Sequence, residues 1–278
     1  MRITRTLIVS TFILLTVACK DDPASEPETQ VTAADQRAAE SVMEVDRFIN
    51  ELEFIARSIR TNYPNQTGIL SGTTITAGRT DEGKEKYDIT FNNLLGADNK
   101  RRTGMLSVVL EDAVENGTVV AGKHVHVRSD DETKLYSVEG VKFKGSLIYS
   151  NIAAAKATPS ILIDHLNAQS FLLKPSGEEV KFSSTRKSKW LAGNATTDIQ
   201  DDKLEMSQQD YSLAIKVAST EFIAGTNINP VILDYGCAQS LFSPKKGVLK
   251  VEHLTGNTRK LVFGNGNCSD TAVVQPFN

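Results

Sequence analysis

The chain has 278 residues, of which 40% are hydrophobic and 23% charged, with a formal net charge of −3. This is the composition of a globular protein and argues against a disordered chain, which lacks the apolar content to bury a core. The acidic balance argues against a nucleic-acid partner, because phosphate binding needs a basic patch. The length allows one large β domain or two small ones.

Arg2 and Arg5 give the chain a basic start, and an apolar run follows from Leu7 to Val17. That run is too short to cross ~30 Å of hydrocarbon as a helix. It has the length of a signal-peptide core, so residues 1–18 are expected to be a lipoprotein signal peptide. Thr16-Val17-Ala18-Cys19 resembles the lipobox of bacterial lipoproteins, in which the cysteine sulfur takes a diacylglycerol and the peptidase cuts just before it. Thr16 stands where leucine is usual, with Leu15 one place earlier, a looser form found in Bacteroidota. The resemblance implies a lipid on Cys19 that anchors the chain to a membrane; the other reading is an ordinary cleaved signal. Lys20-Asp21-Asp22 resembles the surface-export signal of Bacteroidota lipoproteins and implies an outer-membrane protein on the cell surface. A periplasm-facing anchor is the alternative. Residues 1–18 hold two arginines and no acid, so the remainder has 29 basic and 34 acidic side chains.

Residues 19–31 combine that cysteine with an acidic, proline-containing stretch, the pattern of a flexible tether. The span 32–62 carries the one strong helix signal. Val42, Val45, Ile49, Leu52, Ala56 and Ile59 recur at gaps of three and four and form one apolar stripe. Glu44, Arg47, Asn50, Glu51, Arg57 and Arg60 lie mostly off it. Thr32 or Asp35 can cap the start, and Pro64 stops the helix. The stripe is expected to pack on the β domain, with a short coiled coil as the alternative.

From residue 67 to 278 the period becomes two. Tyr87, Ile89 and Phe91 alternate with polar neighbours, as do His124 to Arg128 and Leu213 to Val217. Asn116-Gly117, Pro175-Ser176-Gly177, Gly256-Asn257 and Asn265-Gly266 separate such runs and read as hairpin turns. Strands do not alternate with helices, which excludes a parallel α/β sheet. The expected fold is mainly β: an antiparallel β-sandwich or a long curved antiparallel sheet with one N-terminal amphipathic helix. Ile161 to Ile163 reads as a strand, Asp164 to Phe171 as a helical turn, and 192–203 as an exposed loop.

With Cys19 committed to lipid, Cys237 and Cys268 form an even pair outside the cytoplasm, where a disulfide persists. The alternative is two buried free thiols. Phe182 to Arg186, Trp190, Cys237, Gly247 to Val251, Leu261 to Cys268 and Ala272 to Val274 then form an ordered series. The series is similar to a family of Bacteroidota lipoproteins whose β-rich domain ends in a glycine-turn-cysteine hairpin. The resemblance spans about residues 85–275 and implies address and β architecture, with no activity to carry over. The family often has aspartate in the glycine turn and directly after the cysteine; here stand Asn265 and Ser269, which weakens calcium binding there.

Catalytic motifs do not emerge. The chain holds no Gly-x-Ser-x-Gly, His-Glu-x-x-His or phosphate-loop pattern, and no cofactor is implied. His124 and His126 share one strand face and are weak metal candidates; the plainer reading is the outer face of a half-buried strand. His165 and His253 are isolated. Asp130-Asp131-Glu132 and Asp198, Asp201 and Asp202 read as solvated loops. Trp190 reads as a core anchor. Asp270-Thr271-Ala272 resembles an O-glycosylation site of Bacteroidota exported proteins, which marks Thr271. Three functions fit. The first is a membrane-anchored binding, adhesive or envelope-structural module with a protein or glycan ligand. The second is an exported hydrolase of polysaccharide or peptide. The third is a metal carrier built on His124 and His126.

Overall fold

The computed structural model describes residues 30–65, 68–115, 118–150, 163–193, 195–196, 198–207, 210–217, 220–253 and 257–277. The signal peptide, Cys19, Lys20-Asp21-Asp22, the tether as far as residue 29, the turn at Asn116-Gly117, Ile161-Leu162 and Gly256 lie outside the described residues. The remainder forms a single compact unit from Val31 onward.

One helix opens the fold. α1 runs from Ala33 to Asn62. Thr32 caps it through a reciprocal pair: Asp35 N donates to Thr32 Oγ1 at 3.2 Å, and Thr32 N donates to Asp35 Oδ2 at 2.8 Å. That arrangement satisfies two amide groups that the first turn would otherwise leave open. Tyr63, ahead of Pro64, closes the other end.

Among the described residues the strands after the helix form one antiparallel sheet of 14. In chain order these are β1 Thr74–Arg79, β2 Glu85–Leu95, β3 Arg101–Glu115, β4 Thr118–Ser129, β5 Ser137–Val138, β6 Val141–Ser150, β7 Ile163–Leu173, β8 Glu179–Ala192, β9 Lys203–Met206, β10 Tyr211–Val217, β11 Thr220–Asp234, β12 Lys246–His253, β13 Thr258–Asn265 and β14 Val273–Pro276. Neighbours follow chain order, with two exceptions. β5 pairs with β3 and β6, so it shares the lane of β4; β9 pairs with β8 and β11, so it shares the lane of β10. The expected long sheet is therefore the one formed. Asp164 to Phe171 belongs to β7 and is not a helical turn, because its ladder to β8 supplies the backbone hydrogen bonds that a turn would make locally. Gly177, at φ 85°, makes the β7–β8 turn, in the left-handed region that glycine enters without strain.

The strands obey period two. On β8, Val180, Phe182, Ser184, Arg186, Ser188 and Trp190 all point inward. Inward residues of strands from β2 to β13 join α1 in one hydrophobic cluster, so the sheet curls around the helix. Every helix residue from Phe48 to Ile59 is buried, including Asn50, Glu51, Glu53 and Arg57. The apolar stripe thus explains one face only; the helix is enclosed on all sides. Two short 3-10 turns, Gly68–Leu70 and Ile199–Asp201, also pack on the helix, and the segment after a third, Ala238–Ser240, reaches it through Phe242. Among the described residues no helix is long and apolar enough to cross a membrane.

Candidate functional site: a loop cleft above the enclosed helix

An enclosed helix with charged residues needs partners, since removing a charge from water is costly unless another group compensates it. Arginines supply them: Arg259 answers Asp35 in the first turn at 2.9 Å, and three more serve the middle of the helix. Arg102 of β3 sits between Glu51 and Asp98, with Nε 2.7 Å from Glu51 Oε1 and Nη1 2.8 Å from Asp98 Oδ1. Tyr136 donates its hydroxyl to the same Glu51. Arg186 of β8 pairs with Asp46, which also accepts from Tyr211 Oη at 2.6 Å. Arg57 of the helix pairs with Asp202 and lies over the Trp190 ring, 4.9 Å from its centroid. Burial works against the charge of Arg102, but Glu51 and Asp98 hold its guanidinium above the ordinary value. Burial likewise opposes ionisation of Asp98, yet the hydrogen bonds and charge of Arg102 outweigh it and keep the carboxyl below the usual range. Burial pushes the Tyr136, Tyr149, Tyr211 and Tyr235 phenols well up, so they serve as neutral donors. These groups hold helix and sheet in register.

Above this layer the three 3-10 turns converge. Asn50 Nδ2 donates to the Phe242 carbonyl at 2.9 Å, and Phe54 packs edge-on against Tyr235 and Phe242 at 5.3 and 5.6 Å. The segment from Tyr235 to Lys245 is therefore pinned to the helix from below. From the side it is held by the Cys237–Cys268 disulfide, by Ser240 Oγ donating to the Cys268 carbonyl at 2.8 Å, and by Gly266 N donating to the Lys245 carbonyl at 2.9 Å. Asp270 stiffens the turn on the far side of the disulfide: its carboxylate accepts from Asn265 N at 2.7 Å and Asn267 N at 3.0 Å. Gly264 fits there because a Cβ would come within 2.5 Å of Asp270. The carboxylate is thus engaged with backbone amides in the turn considered for calcium. Lys245 is buried, and burial pushes its amine down to about 8.

The convergence leaves a cleft of about 420 Å³. Ile69, Tyr235 and Leu241, all buried, and Ala97 give it an apolar base, while Asp198 and Asp201 stand exposed at its rim. Asp198 Oδ1 accepts from Gln200 N at 2.9 Å, and Asp201 Oδ2 accepts from Thr196 Oγ1 at 2.7 Å. The volume lies at the small end of ligand-binding cavities, which span roughly 300–1,000 Å³. Chemically it can accept a compact apolar group flanked by donors.

The residues singled out in the sequence lie mostly elsewhere. His124 and His126 occupy the outer face of β4, with Val125 and Val127 buried between and beside them. His124 Nδ1 is 2.7 Å from Ser150 Oγ, and His126 Nε2 is 3.0 Å from Glu111 Oε2. Burial, the largest influence on His126, lowers its pKa and favours the neutral ring. Among the described residues no three such side chains are grouped to hold a metal. His165 lies on β7; His253 ends β12, with Nε2 3.5 Å from Asp35 Oδ1. Asp131 and Glu132 are engaged at the surface by Thr133 and Lys144. Thr271 is exposed just before β14. Trp190 is buried, as a core anchor should be. Two readings need correction. The span 192–203 is not simply an exposed loop, since Ile199 is buried and Lys203 begins β9. Asp202 is not solvated: it is fully buried because it answers the charge of Arg57. The residues missed were Glu51, Arg57, Arg102, Arg186 and the 236–242 loop. Set beside family models, curated proteins and solved structures, the chain matches none of them.

Proposed function

We propose that the chain is an exported lipoprotein, tethered to the outer membrane through a lipid on Cys19, whose β domain binds a ligand without transforming it. The observation that carries the binding reading is the loop cleft. Three loops from distant parts of the chain meet over a helix that the sheet immobilises, and a disulfide fixes the loop that forms one wall. Loops held on a rigid scaffold are where binding residues concentrate. The ligand is a glycan or protein segment that places a small apolar group in the cleft. Its donors face Asp198 and Asp201.

The test is a glycan and envelope-protein binding screen with the purified chain and an Ala238→Trp variant. Ala238 is exposed on the cleft wall, so the indole fills the space without touching the core. A ligand bound by the parent and lost by the variant supports the reading; equal binding by both moves the site elsewhere on the domain. The address is tested separately, by protease shaving of intact cells carrying the parent, Cys19→Ala, or alanines at Lys20, Asp21 and Asp22. Shaving of the parent with protection of the triple variant supports surface display. Protection of the parent points to a periplasm-facing anchor. An exported hydrolase is the second reading, favoured by two carboxylates at one cleft mouth, since glycosidases work with such a pair. Turnover abolished by Asp198→Asn or Asp201→Asn would decide for it.

A further inference from the structure

The sheet ends in two edges that differ. β14 is four residues long and ends in Pro276, which has no N–H to offer. Proline on an edge strand discourages further pairing. β1 reads Thr74-Ile75-Thr76-Ala77-Gly78-Arg79, and five of its six residues are exposed. It pairs with β2 in an unbroken register and has no other strand partner among the described residues. It carries no proline, bulge or lysine, and its one charged residue, Arg79, stands at the end of the strand.

The direction of its open groups follows from the hairpin. Thr80 N donates to the Lys84 carbonyl at 2.9 Å, which makes Thr80 a residue bonded toward β2. Hydrogen-bonding direction alternates along an antiparallel strand. Thr74, Thr76 and Gly78 therefore bond to β2, and the amides and carbonyls of Ile75, Ala77 and Arg79 point away from it.

We infer that β1 pairs with β1 of a second copy of this chain, antiparallel about a two-fold axis at Ala77. This register sets Ile75 opposite Arg79, Thr76 opposite Gly78 and Ala77 opposite itself. Every outward group finds a partner, giving about six new backbone hydrogen bonds. No like charges meet, and the small residues at the centre let the backbones approach. Two-fold pairing uses both free β1 edges, and proline at the other edge blocks continuation, so assembly closes at two copies. The two wrapped sheets become one ribbon with the clefts on separate bodies.

Sedimentation velocity of the purified full-length chain over a concentration series provides the test. The parent should shift from monomer to dimer. Ala77→Pro, which removes an outward N–H and leaves the β2 bonds intact, should weaken dimerisation by about tenfold or more. Cysteine substitution fixes the register independently of any folding defect in the proline variant. In this pairing Ala77→Cys sits next to its own counterpart, within disulfide reach, whereas Thr74→Cys lies about 20 Å from its own. Oxidative cross-linking at position 77 and not at 74 supports the proposal. A monomer at all concentrations, a dimer indifferent to Ala77→Pro, or equal cross-linking at both positions overturns it.

Discussion

Two clusters in this molecule share a plan and differ in surroundings. Inside, Arg102 lies between Glu51 and Asp98 at 2.7 and 2.8 Å; outside, Lys84 lies between Glu111 and Glu82 at 2.7 Å each. The Arg102 side chain is fully buried, whereas that of Lys84 is 36% exposed. The distances agree, so separation does not distinguish them; water does. Around Lys84 solvent screens the attraction and stands ready to replace either partner. Around Arg102 water is excluded, so a missing partner leaves a buried charge only partly answered, by Tyr136 and Arg47 on Glu51 and by Lys100 N on Asp98, which makes the cluster a register pin between α1 and β3.

The largest effect should come from breaking the inner cluster on one side. Arg102→Met strands Glu51 and Asp98 and should cost about 3–5 kcal/mol in urea unfolding, or prevent folding. Adding Glu51→Leu and Asp98→Ala should recover much of that loss, because the complete set of charges, unlike half of it, can be exchanged for packing. Failure of the triple variant to recover would mean that the charges specify the fold as well as tolerate it.

Next in size is the joint change of Cys237 and Cys268 to serine, expected to lower stability by ~3–4 kcal/mol through the freed loop. Hydrogen exchange should show the loss first around Phe242, where the loop meets the helix.

A smaller effect is written in pH. The amine of Lys245 sits at about 8 in the fold against 10.5 ordinarily, so folding disfavours its protonated form. The penalty is fully present below pH 8 and fades as pH rises to about 10.5, so stability should climb across that window by about 3 kcal/mol. Lys245→Met should flatten the climb. At the other end, Asp98 is held below the usual carboxylate range, so its contribution is lost as pH falls below about 4. The smallest effect belongs to the outer cluster: Lys84→Ala should leave the urea midpoint unchanged.

The helix start, its stripe, several hairpins and the cysteine pair could all be read in the sequence, because each rests on local periodicity or on a few residues with restricted chemistry. The inner charges could not, since a search for apolar patterns assigns arginine and glutamate to solvent. Strand parity held a clue. Arg186 is in phase with Val180 and Phe182, and Arg102 with Leu106 and Val108, so the inward side of both strands already contained a guanidinium. Matching those to surplus acids on the helix would have suggested that it is surrounded. β7 was harder: Leu166 and Ala168 alternate with His165, Asn167 and Gln169, but the run is polar and has no β-branched residue, the alternation breaks at Ser170, and the ladder to β8 is what makes it a strand. The cleft was out of reach, because Ile69, Ala97, Asp198 and Leu241 are close only after the sheet has curled.

That enclosure also sets an order of events. α1 leads the compact domain, but its partners come late: Asp46 waits for Arg186, Arg57 for Asp202, and Asn50 for the carbonyl of Phe242. A chain threaded out from its N-terminus exposes a charged, half-apolar helix until nearly its whole length has emerged. Contacts of such wide separation form slowly. The helix that opens the β domain is thus the last part of it to be completed, and a chain truncated ahead of Tyr235 would keep its central helix unfinished.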